Sequence, residues 1–428
     1  MGLVSGYHAR WRTYFHIFFC AAQRIFSGRY AAITAFSALA GFLIHWLMAQ
    51  KNLLVTLDFP PAFGGVARYY SELVKSFSQG TVMVLTVPAP GYTDNLATPV
   101  LRKKLLWPQW IWPRWLRAFF TIRAAMRKNH CTVLWAGQLL PIGTVALILS
   151  LFFGTPYVVF VHGMDMGILQ GRKKRLARMV LLRASVVVAN SRATEQLALA
   201  NGARIHHTIV VYPCPTDLTR ELRQAVALTV SYAGKPYILS VGRLVKRKGF
   251  DRVLAMLPRV CAAVPDAHYV LIGEGDERAR LQAQYTSIAQ RHPGIRGRVH
   301  FLGAVTDSVL ATHFAHAAVF AMPNRDISGD REGFGLVYLE AALFGVPSVA
   351  GNTGGSPEAV QHQRTGIVVA SDAELASALQ RLLRDIPYRH ALGAAAQQRA
   401  QTEFRWEAQT RKLHKALNTY NKATICIT

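Results

Sequence analysis

This sequence predicts an α/β protein: two facing, doubly wound domains, each on a parallel sheet. Three observations lead there. From Lys51 onward short apolar runs alternate with amphipathic stretches, the pattern restarts after Pro213-Cys214-Pro215, and 428 residues suffice for two or three domains of ordinary size. With 51% hydrophobic and 17% charged residues, a disordered chain is excluded. No repeat of solenoid period is present.

In order, Leu53–Leu57 reads as a strand, followed by a turn at Gly64-Gly65 and a helix through Tyr69, Leu73, Val74 and Phe77. Thr81–Val87, Thr132–Ala136, Tyr157–Val161 and Val186–Ala189 read as later strands. The apolar segment 142–153 is too short to span a membrane and ends at Gly154-Thr155-Pro156, so a buried helix is expected. After the proline break, Tyr237–Val241, Tyr269–Ile272, Val299–Leu302, Val319–Met322, Ser348–Ala350 and Ile367–Val369 are strand-like. Phe250, Val253, Leu254, Leu257 and Cys261 form one apolar helical face. The expected division is a leader at 1–47, a first domain at 48–212, a second at 213–403, and a closing helix and tail at 404–428.

Lys plus Arg is 49 against 23 for Asp plus Glu, giving +26. Residues 1–212 hold 23 basic and only 5 acidic residues, so the first half is the part expected to meet an acidic partner. The five cysteines are scattered without a Cys-x-x-Cys pair, which argues against a disulfide framework or zinc site and fits a reducing cytosol.

The leader has no acidic residue, and Tyr30 to Met48 is an apolar run of about 19 residues, barely a membrane span. Arg10, Arg12, Arg24 and Arg29 precede it, which would orient a span with its N-terminus in the cytoplasm. Three readings stand: a weak anchor, an amphipathic element lying on the membrane, or a spurious leader ahead of a natural start at Met48. A spanning helix would export the rest of the chain from the cytosol and is disfavoured.

The strongest constellation runs from Asn324 to Pro357. Glu332 lies just before a helix expected to begin near Gly333-Phe334-Gly335, and Glu340 comes eight residues later. Eight helical residues rise about 12 Å, too far for two carboxylates to share a metal but suited to gripping hydroxyls at two ends of a ligand. The helix start offers the amides of Gly335 and Leu336 to a pyrophosphate. The strand Tyr237–Val241 leads into Gly242-Arg243-Leu244-Val245-Lys246-Arg247-Lys248-Gly249. Ligands of parallel sheets bind beyond the strand carboxyl ends, so Arg243 and Lys248 are expected to clamp phosphate, with Lys246 and Arg247 as solvated neighbours.

Gly64-Gly65, Val161-His162-Gly163, Ser240 to Gly249, Ile272-Gly-Glu-Gly-Asp-Glu-Arg278 and Glu332-x7-Glu340 come in the order of the family 4 retaining glycosyltransferases. Asp58-Phe-Pro-Pro-x2-Gly-Gly65 and Met322-Pro-Asn-Arg325 resemble its bacterial mannosyltransferase-type members. The resemblance covers about residues 51–410. It implies the GT-B arrangement, with a C-terminal helix opened by Phe404-Arg405-Trp406 crossing back to the first domain. It also implies that Arg243 and Lys248 bind the donor diphosphate, Glu340 the ribose, and Glu332 the sugar hydroxyls, with Phe334 and Gly335 completing that loop. His162 would contact the sugar near the reacting carbon, Gly64 and Gly65 would admit the diphosphate, and Glu274 would flank the base. No Asp-x-Asp pair offers a metal site, and the resemblance implies metal-independent, front-face transfer without a further cofactor.

Each feature has a plainer reading. Glutamates eight apart are ordinarily two solvated side chains, a histidine ending a strand is ordinarily structural, and Ser356-Pro357-Glu358 reads as an N-cap, a first-turn proline and a dipole-favoured glutamate. Between Leu101 and Lys128, eight basic residues interleave with Trp107, Trp110, Trp112, Trp115, Phe119 and Phe120. That suits an anionic membrane interface about as well as ordinary solvated charge, and nucleic acid poorly, since no recognition module is visible. The function expected is hexose transfer from a nucleotide-diphosphate sugar to a lipid-linked or growing saccharide acceptor in envelope or polysaccharide biosynthesis, at the inner membrane face. GDP-mannose leads as donor, UDP-sugars follow, and the alternatives are an epimerase-like enzyme or a silent binding module.

Overall fold

The computed structural model describes residues 51–62, 64–224 and 232–425; the apolar leader lies outside them. Strands β1 (Asn52–Val55), β2 (Val82–Thr86), β3 (Val100–Arg102), β4 (Val133–Ala136), β5 (Tyr157–Val161), β6 (Val186–Ala189) and β7 (Thr208–Val210) form one sheet in the order β3-β2-β1-β4-β5-β6-β7. A second sheet runs β10-β9-β8-β11-β12-β13, from β8 (Tyr237–Val241), β9 (His268–Ile272), β10 (Val299–Gly303), β11 (Val319–Met322), β12 (Ser348–Gly351) and β13 (Gly366–Val369). Every pairing within both sheets is parallel. The two expected doubly wound domains are therefore present. β3 and β7 were not expected. Each is a three-residue edge strand, too short for a readable period, and its one neighbour makes it a strand.

The helices of two turns or more are α1 (Gly65–Lys75), α2 (Leu116–Lys128), α3 (Ile142–Phe153), α4 (Gly171–Arg183), α5 (Arg192–Ala200), α6 (Phe250–Ala263), α7 (Arg278–Arg291), α8 (Asp307–His316), α9 (Leu336–Leu343), α10 (Asp372–Arg384), α11 (Ile386–Glu403) and α12 (Trp406–Ile425). Alternation along the strands feeds two cores on the first sheet. Leu53, Val55, Leu134 and Ala136 pack on one face with α2 and α3, while Leu54, Val133 and Trp135 pack on the other with Tyr69, Tyr70 and Leu73 of α1. Leu413 of α12 joins that second face, so the closing helix does return to the first domain. The segment 142–153 is the expected helix but only partly buried: Leu151, Phe152 and Phe153 are exposed at its end. None of the helices among the described residues is long and apolar enough to cross a membrane.

Candidate functional site

Both sheets reverse winding between their first strand and the strand on its other side, β1/β4 and β8/β11, and the loops after β1, β8 and β11 carry Gly64, Gly65, Arg243, Lys248 and Glu332. Gly64 and Gly65 follow β1 and open α1. A Cβ built on either meets no atom within 4 Å, so this backbone is open to an approaching group. His162 follows β5 directly.

The ring of His162 is fixed by Tyr70 of α1. Tyr70 Oη donates to the Gly137 carbonyl at 2.5 Å and lies 2.7 Å from His162 Nε2. A carbonyl only accepts and a phenol has one proton, so Nε2 must donate to Oη. Nδ1 then carries the free lone pair. Burial lowers the imidazole pKa, against the opposing pull of Asp165 and Asp58, and keeps the ring neutral.

In the second domain, the loop after β8 carries Arg243 exposed and Lys248 buried, with Arg243 near enough that its charge helps lower the Lys248 pKa behind the larger effect of burial. Lys248 Nζ lies 3.3 Å from Glu332 Oε2 and packs over Gly242. Arg247, expected as a solvated neighbour, instead ion-pairs with Glu332 and with Asp330, the latter at 3.1 Å, its side chain 10% exposed. Burial would push the Glu332 carboxyl up, but Lys248 and Arg247 together hold it at about 2. Glu332 is thus a fixed anion at neutral pH and cannot shuttle a proton. Lys246 is exposed, as expected.

α9 begins at Leu336 with Gly335 as its cap in the left-handed region (φ 88°), and no side chain caps it. The helix starts later than expected, so Glu332 lies in the preceding loop and the helical rise between the two glutamates applies only from Leu336 on. Phe334 is buried between Tyr212 and Phe404, with ring centroids at 5.4 and 5.6 Å. Glu274 follows β9 and pairs with Arg278 at 2.5 Å, and its carbonyl accepts from the Leu244 amide at 2.8 Å, which joins this loop to the Arg243 loop.

Glu340 is 4% exposed, and its Oε1 is held at 2.7 Å by Arg68 Nη1 from α1 of the opposite domain. Arg68 also reaches Asp307 on α8 at 3.2 Å. Arg68 escaped the sequence reading; its only signal is its place one helical turn after Gly64-Gly65.

The domains meet through glycine backbone. A Cβ on Gly333 would lie 2.3 Å from the His162 carbonyl oxygen, and one on Gly167 would lie 2.1 Å from that of Gly329. His162 and the Glu332 loop are therefore neighbours across the cleft. The seam is clasped by Glu358, whose carboxylate accepts from the Arg192 and Ala193 amides at the start of α5 (2.8 and 2.9 Å) and from Tyr212 Oη (2.9 Å). The glutamate read as favouring its own helix thus serves a helix of the other domain, and the cap of its own turn is Gly355 rather than Ser356.

The chain has relatives among known families and structures. Residues 63–220 match the family described as Glycosyltransferase Family 4, and residues 227–399 match Glycosyl transferases group 1. The chain is 30% identical over 390 residues to a GDP-mannose-dependent monoacylated alpha-(1-6)-phosphatidylinositol monomannoside mannosyltransferase of Corynebacterium glutamicum, covering 87% of this chain and 98% of that one. It is 30% identical over 385 residues to a GDP-mannose-dependent alpha-(1-6)-phosphatidylinositol monomannoside mannosyltransferase of Mycobacterium tuberculosis, covering 85% and 97%. Among solved structures it resembles Anabaena Alr3699/HepE in complex with UDP, with a TM-score of 0.73 at 20% identity, covering 86% of this chain and all of the other. Sucrose-phosphate synthase from Thermosynechococcus elongatus gives 0.72 at 22% identity, covering 87% and 100%. At these identities the structures speak for the fold.

Proposed function

The chain belongs to glycosyltransferase family 4, and from that premise we propose that it transfers mannose from GDP-mannose to a lipid-linked or growing saccharide acceptor with retention of configuration. Relatives named as GDP-mannose-dependent support this choice of donor. The observation that carries the reading is the pairing of Glu332, held ionised by Lys248 and Arg247, with His162 across a backbone contact.

In this reading Glu332 accepts hydrogen bonds from donor-sugar hydroxyls, and His162 Nδ1 accepts one more near the reacting carbon. Glu340 meets the ribose, and Glu274 flanks the base. Gly64 and Gly65, the amides at Gly335 and Leu336, Arg243 and Lys248 surround the diphosphate, and their positive charge and dipoles stabilise the leaving group in place of a metal ion. Phe334 contributes its backbone. The anomeric C–O bond to the β-phosphate breaks as the acceptor oxygen bonds to the same face, and the acceptor proton passes to a phosphate oxygen. Thermal shifts with GDP- and UDP-sugars test the donor, with Arg243→Ala/Lys248→Ala as control. Labelled sugar transfer from GDP-mannose into lipid, lost in Glu332→Ala, tests the reaction; a folded wild type that binds neither nucleotide overturns it.

A peripheral position on an anionic membrane, at its cytoplasmic face, goes with such an acceptor. Its support is the surface of the first domain: Trp110 and Trp112 are 83% and 89% exposed ahead of α2, Phe120 and Phe152 are exposed, and Arg123 lies 3.4 Å over the Phe153 ring. Co-sedimentation with phosphatidylglycerol vesicles that survives Trp110→Ser/Trp112→Ser and Phe152→Ser would count against this surface.

A further inference from the structure

We propose that Arg68 is a positioning residue that holds Glu340 in the donor-free enzyme and exchanges it for the donor diphosphate when the ribose arrives. This rests on the reading that Glu340 meets the donor ribose.

The argument starts from burial. Glu340 is almost wholly enclosed, and an unpaired carboxylate there is costly. Among the described residues its hydrogen-bond partner is the Arg68 guanidinium, which comes from the facing domain. The carboxylate is thus not waiting free for a ribose. Two neutral hydroxyls cannot displace a guanidinium unless the displaced charge finds another anion. Such an anion is at hand by construction. Arg68 is the fourth residue of α1, so its Cα stands about 5 Å along the axis from the helix start at Gly65. That start is where Gly64 and Gly65 leave backbone open to a diphosphate. The side chain is 30% exposed and also touches Asp307, itself 56% exposed, so one of its two partners is a weak surface contact that yields readily.

The exchange therefore replaces one ion pair by another while the hydroxyls take the vacated carboxylate. Ribose recognition and diphosphate recognition become linked through one side chain. A ligand with only one of the two groups gains little, because it must either leave Arg68 where it is or strand a charge.

The test titrates the full chain calorimetrically with GDP, UDP and the 2′,3′-dideoxy form of each, using wild type, Arg68→Ala, Arg68→Gln and Glu340→Gln. With no competitor for Glu340, the affinity ratio of ribo- to dideoxynucleotide should rise about tenfold in both Arg68 variants, the worth of one charge-assisted hydrogen bond. The dideoxynucleotide itself, which leaves Arg68 on Glu340 in wild type, should bind the Arg68 variants with about the same affinity. A ratio that collapses in Glu340→Gln but is unchanged or smaller in the Arg68 variants overturns the exchange and leaves the ribose reading intact. A ratio near one in wild type, untouched by Glu340→Gln, sinks the ribose reading and the exchange with it.

Discussion

Tyr70 on the first helix of the first domain and His162 at the end of β5 share a hydrogen bond whose direction is decided by a third group, the Gly137 carbonyl. Because Tyr70 spends its proton on that carbonyl, the histidine is held with Nε2 protonated and Nδ1 bare. Nitrogen-15 spectra of wild type should show the Nε2–H tautomer, persisting below pH 6.5 because burial depresses the pKa. In Tyr70→Phe the tautomer preference should relax, with transfer slowed by about fivefold, the cost of one lost hydrogen bond. An Nδ1–H signal in wild type would refute the assignment.

Glu332 joins the site to stability. Its folded carboxyl, which burial alone would push up, is held by Lys248 and Arg247 at about 2, well below the ordinary carboxylate value of 4.5. Stabilisation from a carboxyl so depressed is fully present above pH 4.5 and is lost as pH falls through 2. Glu332→Gln should therefore be less stable than wild type at pH 7 by about 3 kcal/mol, since it strands Lys248 beside Arg247. The difference should narrow as pH drops below 5. Urea unfolding at several pH values checks this; a gap constant with pH would show that the charge of Glu332 is not what matters.

Glu358 clasps the domains through two helix-start amides and the Tyr212 hydroxyl, whose own pKa is raised to about 12 by burial and then by this carboxylate. Glu358→Ala should lower stability by about 3 kcal/mol, given three charge-assisted bonds that are not additive. Small-angle scattering should also show a larger radius of gyration. An unchanged radius would mean that the glycine seam alone holds the closed form.

The seam itself is tested at Gly167. A methyl there would sit 2.1 Å from the Gly329 carbonyl oxygen, which belongs to the backbone of the other domain and cannot rotate away. Gly167→Ala should fold with unchanged circular dichroism but lose at least about tenfold in kcat/KM, because a displacement of this size disturbs facing catalytic groups. Full activity would show that the closed contact is not required for turnover.

Much of this molecule was legible because its signals are local. Eleven strands were anticipated from apolar runs, since a strand buried on both faces must be continuously hydrophobic. The order of the motifs brought Lys248, Glu332 and His162 to notice, because glycines and charges at strand ends imply a ligand beyond the sheet. Arg247 was set aside for the same reason that Arg68 was missed: a lone arginine carries no pattern, and its worth depends on which acid the fold sets against it. The packing of the Phe334 ring between Tyr212 and Phe404, residues far away in sequence, carried no local signal.

The sequence by itself determined the alternation of strand and helix, the two-domain plan, the family and the charged residues near the site. Those follow from hydrophobic period, turn chemistry and motif order, all of which act over a few residues. Tertiary structure alone decided that Arg68 occupies Glu340, that Tyr70 orients His162, that Glu358 caps a helix of the other domain, and that glycines at 163, 167, 329 and 333 let the domains touch. Each joins parts of the chain far apart in sequence, which the folding of the first domain (Tyr70 with His162) or the meeting of the two domains (the others) brings within contact, and no spacing along the chain encodes that.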